Sequence, residues 1–203
     1  MKFDIIFTMK TNLPVIVLFA LMSTVFTGCL GPAPKAPRNW LVEWTGSSAA
    51  GAAAPSAPSV KFQQLEVLAP YGGTHIAVLR PDGSIAFDAF NSFAAAPASL
   101  MKGAAVDVIE SSGLFSRVVR PGSSAAADCS LEATVVRLAL DCRAEGRREA
   151  SVALVMTLVR GRSVVSSAKG EASVPLEGGD FSAAFSRAFE GAALAALKSL
   201  EVK

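Results

Sequence analysis

The chain is poor in the residues that most often carry chemistry. Its 203 residues include one histidine, one tyrosine, two tryptophans and three cysteines. A single histidine, His75, excludes any multi-histidine metal site, and with no nucleophile motif beside it a structural or solvent-facing role is expected. No G-x-S-x-G, H-E-x-x-H, P-loop or dinucleotide-binding fingerprint occurs. Tyr71-Gly72-Gly73 is a loop with no helix after it to hold a phosphate. Charge is scarce as well: Asp, Glu, Lys and Arg make up 18% and the formal net charge is +2. With no block of like charges and no basic stripe, nucleic-acid binding has no electrostatic basis. A long apolar run is also missing. The stretch from Leu13 to about Phe26 is interrupted by Pro14, Ser23 and Thr24, whereas a spanning helix needs ~20 apolar residues.

What the N-terminus does contain is a three-part leader. Lys2 and Lys10 come first, the apolar stretch follows, and the small residues Thr27 and Gly28 precede Cys29. This is the plan of a secretory signal over residues 1–28, and Met9-Lys10 would serve as its start as well as Met1. Val25-Phe26-Thr27-Gly28-Cys29 resembles the bacterial lipobox, with Phe26 in place of the usual Leu. In such signals the cysteine thiol receives a diacylglycerol, the peptide is cut before it, and the new amino terminus is acylated. Two or more acyl chains, each buried CH₂ contributing ~0.8 kcal/mol, hold a protein stably at a membrane. The competing reading is an ordinary signal peptide with an incidental cysteine; the leader favours lipidation of Cys29. Leu30 stands where inner-membrane lipoproteins of enteric bacteria carry Asp, which points to the outer membrane, facing the periplasm.

Residues 29–39 are Pro- and Ala-rich (Gly31–Asn39, GPAPKAPRN) and read as a tether. The domain is expected over 40–203. Trp40, Val42 and Trp44 alternate as in a strand over 40–45, and the Ala/Ser-rich stretch 46–59 reads as a flexible loop. VKFQQLEVLAP is a strand ending at Pro70. HIAVLRPDGSIAFDAF is a hairpin turning at Pro81-Asp82-Gly83. Leu100, Met101, Ala104, Ala105, Val108 and Ile109 have helical spacing after Pro97 and before Gly113. LFSRVVR is a short strand. Three long strands follow: CSLEATVVRLALD, REASVALVMTLVR and SVVSSAKGEASVPL, the last two joined by Gly161-Arg162. The middle one is apolar on both faces. In the third, Val164, Ala168, Ala172, Val174 and Leu176 are expected on one face, with Ser167, Lys169, Glu171 and Ser173 on the other. Asp180 suits an N-cap, and Phe181, Phe185 and Phe189 open an apolar stripe of period 3.6. From residue 60 the order is β, ββ, α, β, βββ, α, which gives a two-layer α+β fold: a mainly antiparallel sheet with two helices packed on one face.

Candidate sites are few. Cys129 and Cys142 invite a disulfide in an oxidising compartment, but thirteen steps of one strand at ~3.3 Å separate them by ~43 Å, against the ~7 Å limit for bridged Cα atoms. They are expected to be free. Asp107 and Glu110 share a helix and read as its solvated face rather than a catalytic pair. The phenylalanine stripe reads as core. No catalytic residue, cofactor or metal is expected.

From about Asn39 to Leu200 the chain resembles the ABC-type transport auxiliary lipoproteins, the family that includes the outer-membrane lipoprotein of the paraquat-inducible intermembrane transport system. The resemblance rests on the lipobox and tether, the short aromatic strand NWLVEW, the passage HIAVLRPDGSIAFDAFNSFAAAPASLM, then ESSGLFSRVV and the strand trio. Phe93 stands where family members often have Trp, and the loop 46–59 is extra. The resemblance implies a non-enzymatic lipoprotein. It would work beside a mammalian-cell-entry (MCE) substrate-binding protein, an inner-membrane permease and an ATPase, moving lipids or other hydrophobic compounds across the envelope. It leaves a homo-oligomer open. The alternative is a lipid-binding or LPS-assembly lipoprotein independent of an ABC system, which shares a two-helix, one-sheet plan.

Overall fold

The computed structural model describes residues 36–43, 54 and 56–202. The leader, the lipobox with Cys29, and most of the tether and the 46–59 loop lie outside the described residues. Eight strands and two helices follow in the expected order: β1 (Arg38–Trp40), β2 (Ser59–Val67), β3 (His75–Leu79), β4 (Ile85–Phe93), α1 (Pro97–Ser111), β5 (Arg117–Val119), β6 (Cys129–Asp141), β7 (Glu149–Arg160), β8 (Ser163–Pro175) and α2 (Phe181–Ser199). Local chemistry sets the joints. Pro97 opens α1. The Asp180 carboxylate accepts from the Ala183 N–H at 3.0 Å and so occupies one of the free donors at the start of α2. Gly161, at φ 61°, turns β7 into β8 in two residues.

The strands form one sheet organised around β6. Along one side of β6, β2 pairs with residues 129–135 and β3 with residues 139–141, both in parallel. On its other side β7 runs antiparallel to it over its whole length, and β8 runs antiparallel to β7. β5 adds to β2, and β4 and then β1 add to β3. By paired length the sheet is mainly antiparallel, yet four of its seven pairings are parallel. The segment pattern does not foretell this, because side-chain alternation is the same in either direction.

One face of the sheet is covered by both helices. Phe62, Leu65, Leu131, Ala133, Val135, Leu138, Leu140, Val152, Leu154, Met156 and Leu158 meet the apolar stripes of α1 and α2 in one core. A bulge at Val136 keeps Val135 and Leu138 on that same face. The approach of α2 to β8 is close. A Cβ on Gly170 would lie 1.9 Å from the Ala192 carbonyl oxygen and 2.5 Å from the Ala196 nitrogen, so only glycine fits.

Three sequence expectations need correction. The first strand spans 38–40 rather than 40–45, because its pairing partner, β4, ends at Phe93 opposite Trp40. The chain then leaves the sheet: Val42 enters the core and the Glu43 N–H donates to Ser186 Oγ. The next strand ends at Val67, three residues before Pro70. Val164 does not share a face with Ala168. A bulge between its pairing with Val159 and that of Ser166 with Leu158 turns it to the other side, where it is 64% exposed.

Candidate functional site

Each residue singled out from the sequence has a definite place. His75 is exposed at the head of β3 and makes no side-chain hydrogen bond among the described residues. Asp107 and Glu110 do come together, through a cation the sequence reading missed: Arg120 Nη2 donates to Asp107 Oδ1 and Glu110 Oε2, both at 3.0 Å. The two carboxylates raise the Arg120 pKa. All three side chains are well exposed, so the cluster ties α1 to the end of β5 only weakly. Phe181, Phe185 and Phe189 are buried. Phe93 meets Phe185 edge-on at 5.3 Å, and Trp40 lies 5.5 Å from Phe181 while its Nε1–H donates to Asn91 Oδ1. The stripe is therefore core. Cys129 is buried at the start of β6 and Cys142 half-buried just beyond its end; both are free thiols. Among the described residues no group of three His, Cys, Asp or Glu could hold a metal ion, and no helix is long and apolar enough to cross a membrane.

The clefts are open rather than enclosing. One of about 410 Å³ lies at the β6–β7 turn between Asp141, Arg143, Arg147 and Glu149. Its charges are already matched: Arg143 grips Asp141 through both Nε and Nη2, which holds the Asp141 carboxyl below its ordinary range. Another, of about 400 Å³, lies between Pro58, Leu114 and Val202. A polar clamp stands nearby. Asp128 Oδ2 accepts from the Ser59 N–H and hydroxyl at 2.8 and 2.7 Å, joining the first residues of β2 to β6. These bonds lower the Asp128 pKa.

A further surface is the sheet face that the helices leave uncovered. Its two halves differ. On β3 and β4 it is apolar: Ala77 and Leu79, with Ala139 of β6, are buried with Tyr71 packed against them, beside Phe87 (52% exposed) and Ile85 (42%). On β6, β7 and β8 it is polar. Arg137 reaches over the small Ala153 to Glu171 at 2.9 Å, and Lys169 pairs with the same carboxylate. The two cations lower the Glu171 pKa. Ser151, buried on this side, accepts from Arg137 Nε and from the Ser173 hydroxyl. The alternation of apolar and polar residues in β8 signals a wet face; the Arg137 contact has no local signal, because it joins strands 34 residues apart.

No family model matches the chain, and no curated protein matches it. Solved structures do. Protein XCC0632 from Xanthomonas campestris, assigned to DUF330, aligns over 81% of this chain and 89% of its own, with 19% identity and a TM-score of 0.54. An uncharacterised protein aligns over 81% of this chain and 96% of its own, with 10% identity and a TM-score of 0.60. A PelC dodecamer from Paraburkholderia phytofirmans gives 17% identity over 74% of this chain and 94% of its own, with a TM-score of 0.47. At these identities the likeness is one of fold: this chain has the α+β fold of XCC0632.

Proposed function

We propose that the protein is a non-enzymatic lipoprotein of the bacterial outer membrane, anchored through Cys29 and facing the periplasm. There it acts as the auxiliary component of an ABC/MCE-type transporter for lipids or other hydrophobic compounds. One observation carries the reading: a leader ending in Val-Phe-Thr-Gly-Cys, followed by a Pro/Ala tether that runs into a domain with the segment order of the auxiliary lipoproteins. The open sheet face offers room for docking and suits a bridging role.

Two measurements test it. Cys29→Ser should accumulate an uncut, unlipidated precursor, while Cys129→Ser is processed like wild type; equal processing of both would return the leader to an ordinary signal peptide. Crosslinking in native membranes should capture an MCE-domain protein. Recovery of unrelated partners only, together with lipid that co-purifies with the protein, would move the assignment to a lipid-binding or LPS-assembly lipoprotein.

A further inference from the structure

β8 is an edge. It pairs with β7 on one side, and among the described residues no strand lies on its other side. It is thirteen residues long, and a long unpaired edge offers its free N–H and C=O groups to another strand. Proteins blunt such edges with proline, bulges and lysine. Here the bulge at Val165 and Pro175 stand at the two ends of the run Ser166–Val174. Within that run the charged residues that blunt an edge are Lys169 and Glu171.

The sequence of the run is nearly symmetric about Gly170. Ala168 mirrors Ala172, Ser167 mirrors Ser173, and Lys169 mirrors its charge opposite, Glu171. In an antiparallel pairing of two β8 strands centred on Gly170, each residue faces its mirror position in the other copy. Lys169 then lies opposite the partner's Glu171, and Glu171 opposite the partner's Lys169. Both pairs fall on the open face, where Arg137 already touches Glu171 from the other side, so each Glu171 gains cations on both flanks. On the covered face Ala168, Gly170 and Ala172 meet at the centre, small residues over which α2 already lies close, and Ser166 lies opposite the partner's Val174 at either end. A two-fold axis perpendicular to the sheet keeps the helices of both copies on one side. The lysine that would repel most strands is answered by a second copy of this chain in this one register.

We propose that β8 is a homodimer interface, joining two copies edge to edge in an antiparallel pairing centred on Gly170. The proposal does not depend on the lipid anchor. Sedimentation equilibrium of the full chain in detergent tests it. Wild type is expected to dimerise, and Lys169→Glu and Glu171→Lys to weaken the dimer about tenfold or more each, since both symmetric pairs become repulsive. The double variant K169E/E171K should recover most of the loss, with circular dichroism unchanged throughout. A second measurement fixes the register. In S167C/S173C the two cysteines are six residues apart on one strand, ~20 Å, too far to bridge within a chain, so oxidation should give a covalent dimer. Wild type that stays monomeric at about 100 µM, assembly indifferent to both single reversals, or no covalent dimer from S167C/S173C would each overturn the proposal.

Discussion

On the side of β7 that α2 covers, Val152, Leu154, Met156 and Leu158 are fully buried. On its other side the same strand shows Ser151, Ala153, Val155 and Thr157, whose neighbours on β8 are Ser173, Glu171, Lys169 and Ser167. One backbone thus separates two kinds of construction. The covered face is packed to the limit of atomic contact, as at Gly170 under Ala192, and changes of volume there should be costly. The open face is held by hydrogen bonds and ion pairs reaching over small residues, and substitutions there should be felt in binding more than in folding.

The largest effect is expected at Gly170. In Gly170→Val the new Cβ meets backbone atoms of α2 that cannot rotate away, so chemical denaturation should show a loss of about 3 kcal/mol or more. A loss under about 1 kcal/mol would mean that α2 can lift from β8. Next comes Phe185→Ala, which empties a fully buried site between Phe93 and Phe181 and should cost about 3–5 kcal/mol in the same assay. Acid should act through the carboxylates that the fold holds at lowered pKa. For Asp128, Asp141 and Glu171 the folded value lies below the unfolded one. Their contribution is present above the unfolded carboxylate range near pH ~4 and is lost as pH falls through the folded values. Stability measured from pH 7 to pH 3 should therefore decline at the acid end, less steeply in Asp128→Asn. An unchanged acid limb in that variant would remove the Ser59 clamp from the explanation. The smallest effect belongs to Phe87→Ser on the open face, about 0.5 kcal/mol. A large loss of stability there would show that Phe87 helps to hold the buried cluster of Ala77, Leu79 and Ala139 beside it.

Element type was legible wherever one periodicity ran long enough. In β6, β8 and the stripe from Phe181 to Leu200 one side is buried and the pattern follows it, while β7, apolar on both sides, reads as a central strand. Trp40 and Val42 both reach the core, but a spacing of two residues does not say where pairing stops, since that depends on the end of β4 at Phe93. Bulges were invisible: nothing in Ser163-Val164-Val165-Ser166 marks the extra residue that turns Val164 outward. The docking of β2 and β3 onto β6 was equally hidden, since parallel partners leave no turn between them. At the candidate site, Asp107 and Glu110 could be picked out by helical spacing, but Arg120, Arg137 and Ser59 become their own clusters only in three dimensions.

The place of β6 also bears on how the chain can assemble as it is made. β2 with β5, and β3 with β4 and β1, are two patches whose pairing to each other passes entirely through Cys129–Asp141. A chain emerging amino end first makes both patches, and α1, before the strand that unites them begins at Cys129, 89 positions after Trp40. The helix that closes over β7 and β8 comes last of all. Completion is therefore a late event, and a chain halted between β8 and α2 would leave uncovered the apolar face of β7 and β8 on which α2 packs.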